Sequence, residues 1–241
     1  MSHGEFRFKQ FVVRQDKCAM KVGTDGVLLG AWVPCNNAQT ILDVGTGTGL
    51  IALMMAQKCQ SADIDAIDID AVAYRQAKEN FEYSPWPSRL HSFHESLQEF
   101  SATRSVKYDL IVSNPPYFMD AHPAPSEART VARHMDESLS ISELCSGVKK
   151  LLSPLGRFCV IFPFREGMRF LEHSEGHGLY ANRLTKVKTK VEKQEKRMMM
   201  EFELKRKDLI EDELVIQEED LSFTNQYIEL TSDFYLGLTR K

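Results

Sequence analysis

VSNPPYF, residues 112–118, ends an apolar run with an amide, two prolines and a tyrosine. YDLIV (Tyr108 to Val112) reads as a buried strand. Two prolines lack the N–H that a central ladder needs, so the strand stops at Asn114. The turn beyond it offers two acceptors, the Asn114 side-chain oxygen and the Pro115 carbonyl. Tyr117 adds a flat face for a π-system. This set fits a planar amino group. The nitrogen of such a group is a poor nucleophile because its lone pair is delocalised. Two acceptors on its hydrogens favour a pyramidal nitrogen with a localised lone pair. Against an electrophile that is already activated, positioning and electrostatics then carry the catalysis.

A second stretch supplies such an electrophile. DVGTGTG (43–49) lies between the strand TILDV and the helix LIALMMAQKC. Glycines permit a tight turn and a close backbone approach to a ligand. The spacing is G-x-G-x-G, not the G-x-G-x-x-G that aims a helix N-terminus at a pyrophosphate. The shorter form behind an acid is typical of proteins that bind S-adenosylmethionine, which has no phosphate. Gly45, Gly47 and Gly49 would face the methionine part, and Asp43 its ammonium end. A tight turn with no ligand is the alternative. AIDID then places Asp68 19 residues after Gly49. An acid at a second strand's end accepts ribose hydroxyls. Asp70 is a rival for that place, or the N-cap of the next helix. Ile69 would touch the adenine face.

The elements that must hold these residues follow a strand–turn–helix alternation. TILDV, ADIDAID, RLHSF, YDLIVS and GRFCVIFP read as strands, and AVAYRQAKENFE and ISELCSGVKKLL as helices between them. Such βαβ alternation implies a parallel sheet with helices on both faces. Ahead of it, FRFKQFVV fits short strands or an edge hairpin, and TDGVLLGAWV a helix capped by Thr24 or Asp25. After residue 180, RLTKVKTKVEKQEKRMMMEFELKRK reads as two antiparallel strands joined near Lys193–Lys196. DLIEDELVIQEEDL is acidic and reads as exposed, and the tail carries a last strand or helix. Without repeats or a low-complexity linker, the 241 residues read as one domain. Its parts are a cap segment (1–35), a cofactor-binding core (40–163) and C-terminal antiparallel strands (180–241).

Composition sets outer bounds. Hydrophobic content of 43% and charged content of 27% are those of an ordinary globular chain. A formal charge of -4 argues against a wholesale basic coat but leaves room for a local basic patch. The five cysteines form no C-x-x-C pair and are odd in number, which reads as reduced cytosolic usage rather than a disulfide framework or zinc site. No apolar run is long enough for a membrane span, and the N-terminus has no signal-peptide core. A cytoplasmic protein is the expectation.

Glycine turn, acidic second strand and NPPY, in this order, resemble the class I amino-methyltransferases. These include adenine-N6 methyltransferases of DNA and RNA and the glutamine methyltransferases of release factors. FRFKQFVVRQDKCAMKVGTDGVLLGAWV (6–33) and VARHMDESLSISEL (131–144) narrow the resemblance to the bacterial tRNA1(Val) adenine-37 N6-methyltransferases. It implies a Rossmann-like α/β fold, with a mostly parallel seven-stranded sheet and an antiparallel C-terminal strand. S-adenosylmethionine is the implied cofactor, without a metal, and tRNA at its anticodon stem-loop the implied partner. No membrane and no obligate protein partner are implied. Gly45, Gly47 and Asp43 would line the cofactor pocket, and Asp68 would hold the ribose. Lys21, Thr24 and Asp25 would cover the methionine end, and Asn114, Pro115 and Tyr117 would hold the target adenine. Related enzymes often place an aspartate after the third strand, against the cofactor's adenine amino group. Here FHESL puts Glu95 and Ser96 there, and either would substitute. The rival activity, methylation of a release-factor glutamine, uses the same acceptors but calls for an added N-terminal recognition domain. Adenine methylation in DNA or another RNA is a further alternative.

The RNA side is read from charge. TKVKTKV sets Lys186, Lys188 and Lys190 on one face of a strand, a stripe for phosphates or the solvated face of an edge strand. Arg133 and His134 lie on a loop that would close over the substrate, or merely lead into the next helix. Phe6, Phe8 and Tyr117 would stack on unpaired bases.

Overall fold

The computed structural model describes residues 4–18, 20–35, 37–116 and 139–238. Tyr117, Arg133 and His134 lie outside the described residues. The chain opens with a hairpin, β1 (Glu5–Arg7) and β2 (Val12–Arg14), then α1 (Thr24–Trp32). Alternation follows: β3 (Thr40–Val44), α2 (Leu50–Lys58), β4 (Asp63–Ile67), α3 (Ala71–Glu82), β5 (Leu90–Phe93), α4 (Leu97–Thr103) and β6 (Tyr108–Ser113). Beyond residue 138 come α5 (Ile141–Leu151), β7 (Leu152–Pro163), α6 (Phe164–Ser174), β8 (Tyr180–Lys188), β9 (Glu195–Glu203), β10 (Ile210–Val215) and α7 (Asn225–Thr231).

β3 to β10 form one eight-stranded sheet in the order β10-β8-β9-β7-β6-β3-β4-β5. Seven of the strands run one way; β9 alone is antiparallel to its neighbours, β7 and β8. The expected sheet had seven strands, and the eighth is the acidic segment expected to be merely exposed. As β10 it pairs in parallel with β8, matching Glu213 to Lys186 and Val215 to Lys188. β8 is therefore interior to the sheet.

Both faces are covered, and the strands show it by period-2 sorting. Ile41, Leu110, Val112, Cys159 and Ile161 pack with α1, α2 and α7 on one face. Leu42, Ile111, Phe158, Val160 and Phe162 pack with α4, α5 and α6 on the other. The apolar helix α2 is buried from Leu50 to Ala56. α5 buries only the stripe Leu144, Cys145, Gly147, Val148 and Leu151, as its 3.6-residue spacing requires. Among the described residues no helix is long and apolar enough to cross a membrane.

Three local expectations need correction. α1 is capped by Gly23 with no side-chain bond, so neither Thr24 nor Asp25 caps it. Phe6 and Phe8 are not free stacking platforms. Phe8 is buried, with its ring centroid 4.8 Å from Phe6, 4.7 Å from Phe11 and 5.9 Å from Tyr235 near the C-terminus. A chain-long closure makes this cluster, since Lys9 N–H donates to the Phe234 carbonyl and Lys9 Nζ to that of Ser232. Finally, Cys35 and Cys59 are joined in a disulfide, while Cys18, Cys145 and Cys159 are free and buried. The bond joins the segment after α1 to the residue that ends α2, which the packing of these helices sets side by side.

Candidate active site

Parallel register assembles the site. Val44 stands opposite Ile67 on β4 and Ser113 on β6, and Ile67 opposite Phe93 on β5. The next residues, Gly45, Asp68, His94 and Asn114, therefore leave four adjacent strands at one edge of the sheet. That carboxyl edge is where open α/β sheets bind ligands.

The glycine turn is held in a left-handed path by two carboxylates. Gly45, Gly47 and Gly49 have φ of 70°, 59° and 81°, a region in which L side chains are strained. Gly45 and Thr46 N–H groups both donate to the Ile67 carbonyl at 3.0 Å. Gly47 N–H donates to Asp68 Oδ2 at 2.8 Å, and Asp70 N–H to Asp68 Oδ1 at 2.9 Å. Beneath the turn, Asp43 Oδ2 accepts from Thr46 Oγ1 at 2.6 Å and from Ala52 N–H at 3.1 Å. Asp43 is fully buried and its Oδ1 has no partner among the described residues. Burial pushes its carboxyl up to about 7, against the opposing pull of those two hydrogen bonds. Burial likewise raises Asp68, opposed by the Asp70 and Gly47 N–H groups.

The three glycines divide by what surrounds them. A Cβ on Gly45 or Gly47 would meet nothing within 4 Å, whereas one on Gly49 would lie 2.5 Å from Phe81 Cε1. Gly49 thus serves the packing of α2 against α3. Open space over Gly45 and Gly47 fits a ligand that lies on the turn, and beneath the turn one carboxylate oxygen of Asp43 is left without a partner among the described residues.

Of the two acids, Asp70 caps α3 by accepting from Val72 N–H at 2.7 Å, and Asp68 stands at the end of β4, where a ribose-binding acid is expected. Ile69 is exposed beside Asp68, and its carbonyl contacts His94 Nε2 at 3.0 Å. The His94 ring stacks on Tyr74. Farther along, both adenine-side candidates have partners of their own. Ser96 caps α4 in a reciprocal box with Glu99, and Glu95 pairs with Arg104 at 3.0 Å.

The cap segment passes close by. Asp68, Asp70 and Lys21 all act on the charge of the buried Cys18 thiol, which burial raises to about 11. Lys21 Nζ donates to the Cys18 carbonyl at 3.0 Å and also to that of Gln15. Thr24 opens α1, whose Gly26 lies against Leu50 at the start of α2. Asp25 forms an ion pair, 2.6 Å from Arg197 Nε. On the substrate side Asn114 is half-buried and Pro115 buried. Ser113 Oγ ties this strand end to the Val44 carbonyl at 2.8 Å.

The lysine stripe of β8 does not form a free cationic face. Lys186 pairs with Glu211 at 2.9 Å, and Lys188 with Glu213 at 2.7 Å and Glu195 at 3.6 Å. Lys190 Nζ donates to the Glu219 carbonyl. The acidic strand β10 is the reason: its carboxylates lie along the lysines.

Residue types alone passed over two residues that brace the turn. Thr46 gives Asp43 its closest bond. Asn80, at 1% exposure, donates from Nδ2 to the Thr48 carbonyl at 2.8 Å. Its signal lay in the helical period: Ala73, Gln76, Ala77, Asn80 and Phe81 are the buried positions of α3, and two of them are amides.

Residues 18–141 match the family model described as Methyltransferase small domain. A predicted O-methyltransferase from Agrobacterium tumefaciens has a similar fold, with a TM-score of 0.70 at 16% identity over 87% of this chain and 96% of that one. A ribosomal protein L11 methylase from Lactobacillus delbrueckii gives 0.56 at 15% identity, over 80% and 84%. Sequence relatives are nearer. The tRNA1(Val) (adenine(37)-N6)-methyltransferase of Bacteroides fragilis is 47% identical over 239 residues, 99% of this chain and 100% of that protein. That of Trichodesmium erythraeum is 46% identical over 98% and 99%. That of Flavobacterium johnsoniae is 46% identical over 97% and 100%. With the glycine turn, the acid of the second strand and the Asn-Pro-Pro strand end on one sheet edge, the chain belongs to the tRNA1(Val) (adenine(37)-N6)-methyltransferase family.

Proposed function

We propose that this protein transfers a methyl group from S-adenosylmethionine to N6 of adenine-37 in tRNA1(Val), in the cytoplasm, binding the tRNA at its anticodon stem-loop. The observation that carries this is near-full-length 47% identity to an enzyme of that name. The meeting of Gly45, Asp68 and Asn114 at adjacent strand ends supports it. S-adenosylmethionine supplies a methyl group on a sulfonium, an electrophile activated without a metal. The chain's residues do the rest by placement. Gly45 and Gly47 give the ligand backbone to lie against, Asp68 offers its remaining lone pairs to the ribose, and Asp43 Oδ1 awaits the ammonium. Lys21 and Thr24 border the methionine end; Ile69 borders the base. Asn114 Oδ1 and the Pro115 carbonyl hold the two amino hydrogens of the target adenine, localising the nitrogen lone pair. Tyr117 gives the base a face, and an unpaired loop base costs less to extrude than a paired one. As the N–C bond forms, the S–CH3 bond would break and S-adenosylhomocysteine would leave; the nitrogen proton becomes acidic only then and would pass to solvent water, so no strong base is needed.

The function is tested with labelled S-adenosylmethionine, a tRNA1(Val) transcript, and a second transcript with guanine in place of adenine-37. Label is expected as N6-methyladenosine in the first and absent from the second; equal label in both, or, in a parallel reaction given a release factor instead of tRNA, label on its glutamine, would overturn the proposal. In the same assay Asn114→Ala is expected to lower kcat at least about 100-fold. Its affinity for S-adenosylmethionine should stay within a few-fold, as calorimetry would show.

RNA contact falls to cations other than the β8 stripe. Lys193 and Lys196 are exposed and have no ion pair among the described residues. They sit where β8 turns into β9, at the carboxyl edge, since Arg197 is opposite Pro163 at the end of β7. Arg133 and His134, outside the described residues, would add to them if their loop closes over the substrate. Replacing Lys193 and Lys196 together by Ala should reduce the slope of log K against log salt for tRNA binding by about 1.5 to 2. Replacing Lys186 and Lys188 should change the slope by less than about half as much; the reverse order would return the RNA to the β8 stripe.

Asp43 sets a pH dependence. Its folded carboxyl titrates near 7, above the ordinary carboxylate value. The free fold therefore binds a proton that the unfolded chain has released, and Asp43's contribution to stability falls as pH rises from about 4 to about 7. A ligand ammonium favours the ionised form, so the sign for binding is opposite. S-adenosylmethionine affinity is expected to rise with pH up to about 7, with a proton released on binding. Calorimetry in buffers of different ionisation enthalpy measures that proton, and Asp43→Asn should abolish its release.

A further inference from the structure

Asn80 joins two parts of the molecule that the glycine turn and the cap segment would otherwise hold separately. Its Oδ1 accepts from Arg14 N–H at 2.9 Å, and its Nδ2 donates to the Arg14 carbonyl at 2.8 Å. Toward β2, then, the side-chain amide pairs with Arg14 as another strand's peptide group would. The second hydrogen of Nδ2 goes to the Thr48 carbonyl at 2.8 Å, inside the glycine turn. One turn earlier on the same helix, Gln76 Oε1 accepts from Lys17 N–H at 3.1 Å. The hairpin carries the connection on. Gln15 Oε1 accepts from Val22 N–H at 2.7 Å, and the Gln15 carbonyl accepts from Lys21 Nζ. A continuous set of bonds therefore runs from Thr48 through Asn80, Arg14 and Gln15 to Lys21.

We infer that Asn80 is a positioning residue that sets the cap segment 12–22 in register with the glycine turn, so that the cofactor meets both as one rigid surface. The inference rests on the reading that this turn holds S-adenosylmethionine, and it adds a residue that touches neither cofactor nor substrate. The residue type is demanding. Three bonds need one acceptor and two donors on the same planar group, which an amide has and a carboxylate lacks. Asp at this position would set a carboxylate oxygen against two carbonyl oxygens. Asn80 itself is buried, its bond to Thr48 is fully so and the two to Arg14 partly, and an unmatched amide there is costly. Surface ion pairs from Arg14 and Lys17 to Glu79, at 3.1 Å and 2.5 Å, fasten the same hairpin from outside. Being exposed, they bring the hairpin to α3 without fixing its register.

Two variants of Arg14 separate the backbone clamp from the side chain. Arg14→Pro removes the N–H that Asn80 accepts; this N–H points away from β1, whose bond at this end of the hairpin comes from Gln15 N–H to the Gly4 carbonyl. Arg14→Ala keeps the N–H and loses only the guanidinium. Asn80→Ser shortens the amide while keeping a polar atom, and Asn80→Asp tests the donor requirement. Amide hydrogen exchange and S-adenosylmethionine affinity by calorimetry are measured on the full-length protein, with thermal unfolding alongside. In Asn80→Ser and Arg14→Pro, exchange should rise about tenfold or more in 12–22 and in 46–50 together, and affinity should fall about tenfold. Asn80→Asp should be worse than Asn80→Ser, and Arg14→Ala should stay within about twofold of the parent. With S-adenosylmethionine saturating, kcat of the folded variants should stay within about threefold, placing the loss in KM. Lower thermal stability with parental exchange in 46–50 and parental affinity would overturn the clamp. A parent that fails to bind S-adenosylmethionine would instead remove the cofactor reading, and paired exchange of the two segments would still decide whether Asn80 couples them.

Discussion

Everything at the carboxyl edge depends on one loop of backbone that L side chains would resist. Gly45, Gly47 and Gly49 all take positive φ, and such a path needs fixed acceptors for the N–H groups that it turns inward. Ile67 and Asp68 supply them from the end of β4, and Asp43 on β3 accepts from the Thr46 hydroxyl beneath the turn. Two carboxylates are thus placed where burial disfavours their charge. Neutral acceptors would hold the turn as well. Acids add what neutral acceptors lack, a charge that burial holds back and that a nearby cation would favour.

Sheet register does what long-range folding would otherwise have to arrange. Because β3, β4, β5 and β6 are parallel and adjacent, equal register delivers their ends to one line. A glycine turn, an acid and an amide, 23 and 46 residues apart in the chain, meet without any loop having to reach. Nearby side chains then lock the ends in place: Ser113 to β3, and Asn80 between turn and hairpin. The Asn114 and Pro115 oxygens are on a strand end stiffened by two prolines, so their placement is fixed by the chain itself.

Much of this was legible in sequence because it is written in local periods. AVAYRQAKENFE matches α3 residue for residue, and TILDV and YDLIVS match β3 and β6. The capping box of α4 was also local: Ser96 and Glu99 have the S-x-x-E spacing, and their mutual bonds explain why Ser96 is a cap. Nonlocal pairing was not legible. An acidic six-residue strand gives no hint that it will skip past β9 and join β8. Phe8 looked like a free ring because its partner, Tyr235, lies at the far end of the chain. The Cys35–Cys59 bond depends on where two helices end, which no spacing rule contains. The roles of Asn80 and Gln76 needed the partners of their amides, although their buried phase on α3 could be read.

The pairing of β10 with β8 also shapes how the protein would sample RNA. A cation already matched by its own chain's carboxylate releases few counterions from a nucleic acid, and so adds little to indiscriminate attraction. Folding an acidic strand along Lys186 and Lys188 silences most of the longest basic run in the chain. What remains is a few unmatched cations around the carboxyl edge. Encounters with the wrong RNA, or with the right RNA turned away, are thereby short. In a chain of net charge -4, such matching would trade lingering contact for quick rejection.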